Sequence, residues 1–157
     1  MQPAVTESSV ASSSGTRGSL NRILYAGIAV LSVAGIIVSA VSLQRHYAKS
    51  ATQFCDFSQQ FSCDVVNRSE YSSIMGIPVA GIGVVGYAVL LALSTFFRAR
   101  AETPNRLLGA AIAGSAFALY LTYIEAYVLT TWCILCLISL VLIFLVTVLA
   151  GIVRWKA

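Results

Sequence analysis

Trp132-Cys133-Ile134-Leu135-Cys136 is followed by 17 residues, Leu137 to Val153, that carry no charge. From Cys133 to Val153 the run is 21 residues, about 30 Å of helix at 1.5 Å per residue, the thickness of a bilayer's hydrocarbon core. A C-x-x-C therefore opens a membrane span. Cysteines three apart share one face of a helix, one turn from each other. In a first helical turn, unpaired N–H groups and the helix dipole stabilise a thiolate, the form that attacks disulfides.

Working outward, the rest of the chain has the same apolar character. Of 157 residues, 58% are hydrophobic and only 10% charged, against about 25% charged in soluble domains. Mean hydropathy is +0.85. So few charges cannot cover a soluble surface. The net charge of +4 is no nucleic-acid signal, because the basic residues flank apolar runs instead of forming a patch.

Three further apolar stretches precede Cys133. Between Arg22 and Arg45 lie 22 uncharged residues, long for a signal peptide despite Val38-Ser39-Ala40 as a possible cleavage site, so a retained span is expected. A second run leads from Gly76-Ile77-Pro78 to Phe97, with Pro78 suited to a first helical turn. A third starts after Arg106 and reaches Thr130, with Glu125 near its far end. The expected fold is an all-α integral membrane protein, a four-transmembrane-helix bundle with spans of about 23–43, 77–97, 107–129 and 133–153. Residues 1–19, rich in Ser, read as a disordered tail, and 20–157 as the catalytic domain. Small residues (Gly27, Gly35, Ser39, Gly81, Gly83, Gly86, Gly109, Gly114) recur along the spans, as expected of helices that pack closely in lipid.

Basic residues orient the bundle. With the N-terminus inside, Arg17, Arg22, Arg98, Arg100, Arg106, Arg154 and Lys156 are cytoplasmic, and Arg45, Lys49 and Arg68 are outside. The positive-inside rule places both termini in the cytoplasm and all four cysteines on the outer, oxidising side, where disulfides persist.

The outer loop 44–76 carries the other two cysteines, Cys55 and Cys63. It is long for a connection, and Asp64 to Met75 is expected to form a short amphipathic helix capped by Ser62 or Asp64. Phe54, Phe57 and Phe61 could anchor the loop in the interface. Four cysteines admit three readings: two structural disulfides, a shared zinc ion, or a relay of thiol–disulfide exchange between the pairs. A zinc site favours two closely spaced pairs, and only one is C-x-x-C. A relay needs an electron sink, and without metal or flavin motifs a lipid-soluble quinone fits. His46, the only histidine, reads as interfacial. Glu125, within an apolar span, is a functional candidate or a group that reaches water or a basic residue.

These residues together resemble the vitamin K epoxide reductase family over roughly residues 20–155. The likeness lies in Cys55-Asp56, Ser62-Cys63 and Ser69, then Gly76-Ile77-Pro78, then Tyr120-Leu121-x-Tyr123-x-Glu125 leading into Trp132-Cys133-x-x-Cys136. The stretch from Tyr120 through Glu125 looks more like prokaryotic members than vertebrate ones. Another family of quinone-linked, four-span oxidases places its C-x-x-C in the first outer loop, unlike this chain.

The resemblance implies a relay in which Cys63 exchanges with a separate thioredoxin-like periplasmic protein and Cys55 passes electrons to Cys133. Cys136 is thereby freed beside the quinone and reduces it. Ser69 would donate a hydrogen bond or proton near the quinone, with Asp56 holding the loop. Epoxide-reducing vertebrate enzymes carry a tyrosine where this chain has Leu140, and an asparagine near the position of Val79. Those two positions, with Cys136 and Ser69, form the expected quinone site. A plain quinone of the ubiquinone or menaquinone type is the expected acceptor, with no metal. The implied function is a bacterial inner-membrane thiol:quinone oxidoreductase supporting disulfide formation. The alternatives are a reductase of quinone or vitamin K epoxide serving quinol production, and a non-catalytic scaffold with structural disulfides.

Overall fold

The computed structural model describes residues 7–47 and 61–157; Lys49, Phe54, Cys55, Asp56 and Phe57, singled out above, lie outside the described residues. Helix α1 spans Glu7–Tyr47, α2 Cys63–Arg68, α3 Val79–Thr95, α4 Thr103–Ile124 and α5 Ile134–Lys156. The long helices form a closed bundle in which α1 packs on α3 and α5, and α4 packs on α5 and α3.

Hydropathy and length place three helical segments in the membrane class: Arg17–Tyr47, Thr103–Leu129 and Ile134–Lys156. The expected second span is shorter than predicted, because α3 holds 17 residues, about 25 Å at 1.5 Å each. Pro78 precedes it as N-cap, having no N–H to give a helix and a ring that suits its entry. At the other end of the chain, α1 reaches back to Glu7, into the tail whose composition offers nothing to bury. Extending a helix costs far less than nucleating one, and residues 17–20 are exposed there.

The core runs along the bundle axis through Ile28, Leu107, Ala111, Val146 and Ala150, all fully buried, with Tyr25, Tyr87 and Ile143 around them. The outer faces are equally apolar: Val30, Ile37, Val85 and Phe144 are each more than half exposed. A continuous apolar exterior of this kind suits lipid, not water. Between the helices, small residues set the approach. A Cβ on Gly35 of α1 would overlap the Tyr87 ring of α3, and one on Gly83 would come within 2.8 Å of Ser39 Oγ. In α5, Thr147 Oγ1 donates to Ala111 O of α4 at 3.1 Å and meets Ser115 Oγ at 2.8 Å.

The outer segment departs from the predicted 64–75 helix. Ser62 caps α2 as expected, its Oγ accepting from Val65 N–H at 3.4 Å. The helix ends at Arg68 because Ser69 is extended (φ −67°, ψ 159°). A 3-10 turn, Glu70–Ser72, follows. The chain then makes a hairpin of β1 (Ser73–Ile74) and β2 (Ile77–Pro78), so a small β element qualifies the all-α expectation. Met75 and Gly76 turn it with φ of 53° and 83°, the doubly positive pattern of tight hairpins. A helix cannot pass through those two residues.

Candidate functional site: a dithiol beside an apolar cavity

The turn from α4 into α5 builds the site. After Ile124, α4 widens into one π turn, Glu125–Leu129. Thr130 ends it in the left-handed conformation, and its N–H and that of Thr131 both donate to Glu125 O. Single π turns inside α-helices re-aim side chains and recur at functional sites. Glu125 is turned inward, 1% exposed, where its Oε2 accepts from Cys133 N–H at 3.2 Å.

Cys133 is the N-cap of α5. Its Sγ accepts from Cys136 N–H at 3.4 Å, capping the helix where serine or aspartate ordinarily would. Both thiols are free, Cys133 fully buried and Cys136 half-buried. The sulfurs of Cys133 and Cys136 and the Glu125 carboxylate all lie within 4.8 Å of one another. That spacing suits closure of a disulfide after small rotations, and it is also near enough for one thiophilic cation to touch all three.

The loop cysteine meets this pair. Residue 61 forms a one-residue parallel β-bridge with residue 132 (Phe61 with Trp132). Two residues on from Phe61 and one on from Trp132, Cys63 and Cys133 are both fully buried in one small cluster with Val66, against Leu129, Leu135 and Cys136. Cys63 is disulfide-bonded. The resemblance had Cys63 facing a soluble partner; here it is buried inside this cluster.

A cavity of about 400 Å³ opens from Cys136 into the bundle, enclosed by α1, α2, α3, α4 and α5. Its walls are mainly apolar, among them Val79, Ile82, Leu90, Phe117 and Leu121. Of the residues expected to contact quinone, Cys136, Ser69 and Val79 line it, whereas Leu140 does not. Ser139, one position earlier on α5, lines it instead, and Tyr87 donates to Ser139 O at 2.9 Å. Ser69 is committed elsewhere, its Oγ donating to Val66 O at 2.9 Å. His46 also lines the cavity. Its Nδ1–H donates to Asn67 O, so it holds the loop to the end of α1. Ser42 Oγ donates to Asn67 Oδ1 at 2.8 Å.

Two lining residues had no assigned role in the sequence reading. Glu125 carried a signal, a carboxyl in an apolar run, but the π turn that aims it at the thiols carries none. Asn67 gave no signal, being one polar residue in a polar loop.

The chain matches the model of the vitamin K epoxide reductase family over residues 26–151, a stretch that contains all five helices' contributions to the site. It belongs to that family. Its members are membrane oxidoreductases that act on quinones, and the apolar helices agree with an integral membrane protein.

Proposed function

We propose that this family member is a thiol:quinone oxidoreductase that takes electrons from a thioredoxin-like protein through two cysteine pairs and so sustains disulfide formation. The observation that carries the reading is a free Cys136 thiol on the wall of a largely apolar cavity, one turn from Cys133. A quinone is a flat apolar ring with two carbonyl acceptors, and an apolar cavity with few polar groups is how such ligands are held.

The chemistry balances within the site. Cys133 and Cys136 form an S–S bond and release two electrons and two protons; the quinone takes up two of each and becomes quinol. The partner's dithiol restores the pair by exchange through the loop cysteines Cys55 and Cys63. Burial of Cys63 beside Cys133 supports Cys63 as the sulfur that exchanges with Cys133, which leaves Cys55 to meet the partner. This reverses the order that the resemblance implied. We take all four spans to cross the bilayer, α3 included, with both termini cytoplasmic and the cysteines in the periplasm of a bacterial inner membrane. Seven basic residues then lie inside and three outside, as the positive-inside rule favours. The acceptor is a quinone of the ubiquinone or menaquinone type, not an epoxide, since Val79 and Leu140 supply no polar group.

The test is anaerobic quinone reduction by the purified, detergent-solubilised protein with a reduced thioredoxin-like donor. Turnover that is lost in Cys133→Ala and Cys136→Ala is the expected result. Full turnover in Cys136→Ala, or none in folded wild type across several quinones and donors, overturns it.

A further inference from the structure

The cavity has an unusual polar balance. Ser42, Ser69, Ser72 and Tyr87 on its wall all donate to protein acceptors. Among the described residues, only two buried side-chain polar atoms have no hydrogen-bond partner, Asn67 Nδ2 and Glu125 Oε1. Both residues line this one cavity. They arrive from separate elements, α2 and the π turn after α4, so no single local distortion produces both. Leaving a buried polar atom unpaired costs folding free energy, and native proteins avoid it unless a ligand or water completes the bond.

Each residue is held at its other polar atoms, and the spare one is buried without a partner. Asn67 is gripped at both oxygens, Oδ1 by Ser42 Oγ–H and the backbone carbonyl by His46 Nδ1–H. Its amide hydrogens are left over, and Nδ2 can only donate. Glu125 is held at Oε2 by Cys133 N–H, with its carboxylate within 4.8 Å of both sulfurs and Oε1 left unpaired.

We propose that Asn67 Nδ2 and Glu125 Oε1 are the two polar anchors of the quinone head group. Asn67 donates to one carbonyl. Glu125, neutral and carrying its proton on Oε1, donates to the other, on the Cys136 side. The chemistry of the ligand requires this polarity: a quinone carbonyl only accepts, so both anchors must donate. The rest of the ring and an isoprenoid tail need no polar partner, which fits the apolar remainder of the wall. The inference rests on the thiol:quinone reading and adds the residues that recognise the head group.

The experiment uses the full chain with Cys133 and Cys136 oxidised, titrated with a short-chain ubiquinone and with menadione, alongside steady-state kinetics with a thioredoxin-like donor. Asn67→Leu and Glu125→Leu are each expected to raise the quinone Kd and KM about tenfold, the loss of one buried hydrogen bond. The KM for the thiol donor should stay at its wild-type value, which a general disruption of the fold would not allow. Two near-isosteric variants guard against misfolding. Asn67→Asp removes the donor but keeps Oδ1 for Ser42, and should weaken quinone binding at least as much. Glu125→Gln retains both an acceptor for Cys133 N–H and a donor for the carbonyl, and should bind quinone within about twofold of wild type. Wild-type affinity in both Asn67 variants, or in Glu125→Leu, overturns the anchors while the thiol:quinone reading stands. Wild type that neither binds nor reduces any quinone removes that reading, and the anchors with it.

Discussion

Replacing Gly35 by alanine tests the packing that shapes the cavity. The new Cβ would overlap the Tyr87 ring atoms Cδ1, Cε1 and Cζ. Tyr87 is 5% exposed and tied through its hydroxyl to Ser139 O and Ser139 Oγ, at 2.9 and 3.1 Å. Making room would both push α1 and α3 apart and swing the ring out of reach of Ser139. Overpacking of this kind costs about 1–3 kcal/mol. The lost Tyr87–Ser139 bond adds roughly 0.6 kcal/mol, the average for a bond between membrane helices. At roughly 2–4 °C per kcal/mol for a chain of this size, the melting temperature in detergent should fall by about 3–14 °C. Gly109→Ala is the control: nothing lies within 4 Å of the added Cβ, and alanine favours the α4 interior by roughly 0.5–1 kcal/mol. The cost of Gly35→Ala should shrink in a Tyr87→Leu background, since residues in contact couple. Gly35→Ala melting with wild type, or a cost undiminished when Tyr87→Leu has removed the ring, would refute the proposed contact.

Two other substitutions probe the outer end. Cys136→Ser removes the sulfur that closes the C-x-x-C, so Cys133 should be trapped in a disulfide with a loop cysteine. Peptide mapping under non-reducing conditions should find Cys63 as its partner; a Cys55–Cys133 link would restore the opposite relay order. Ser62→Ala removes the cap of the six-residue α2, at about 1 kcal/mol. Amide exchange across residues 63–68 should quicken by roughly fivefold, while the long helices keep their protection; unchanged exchange in α2 would show that the cap contributes little.

Hydropathy made the apolar segments legible because lipid imposes one requirement along their whole length. The C-x-x-C at the head of the last helix was legible for a related reason, since a polar-to-apolar step marks where a span begins. Local chemistry away from lipid was harder to read. Residues 64–75 carry enough amphipathic pattern for one helix, yet Ser69 and the Met75-Gly76 turn divide it into short pieces. Leu140 stands one residue from Ser139, but each helical residue rotates about 100°, which turns it off the cavity wall. Asn67 became a wall residue only because α2 docks on α1 through Ser42 and His46, a contact between residues 25 apart that no local pattern announces. Glu125 was visible as an anomaly, but its aim depends on one extra residue accommodated in a helical turn.

The bridge between Phe61 and Trp132 bears on kinetics. It pins the loop's backbone two residues before Cys63 to the chain one residue before Cys133. In the proposed relay, exchange between the loop and the C-x-x-C is then a first-order event within a single tethered unit. Even flexible tethers give effective concentrations in the millimolar range, and a pinned one does better by sparing the search for orientation. In that relay free thiols in the surroundings would compete poorly for Cys133, and electrons entering at the loop would be delivered inward instead of leaking to solution.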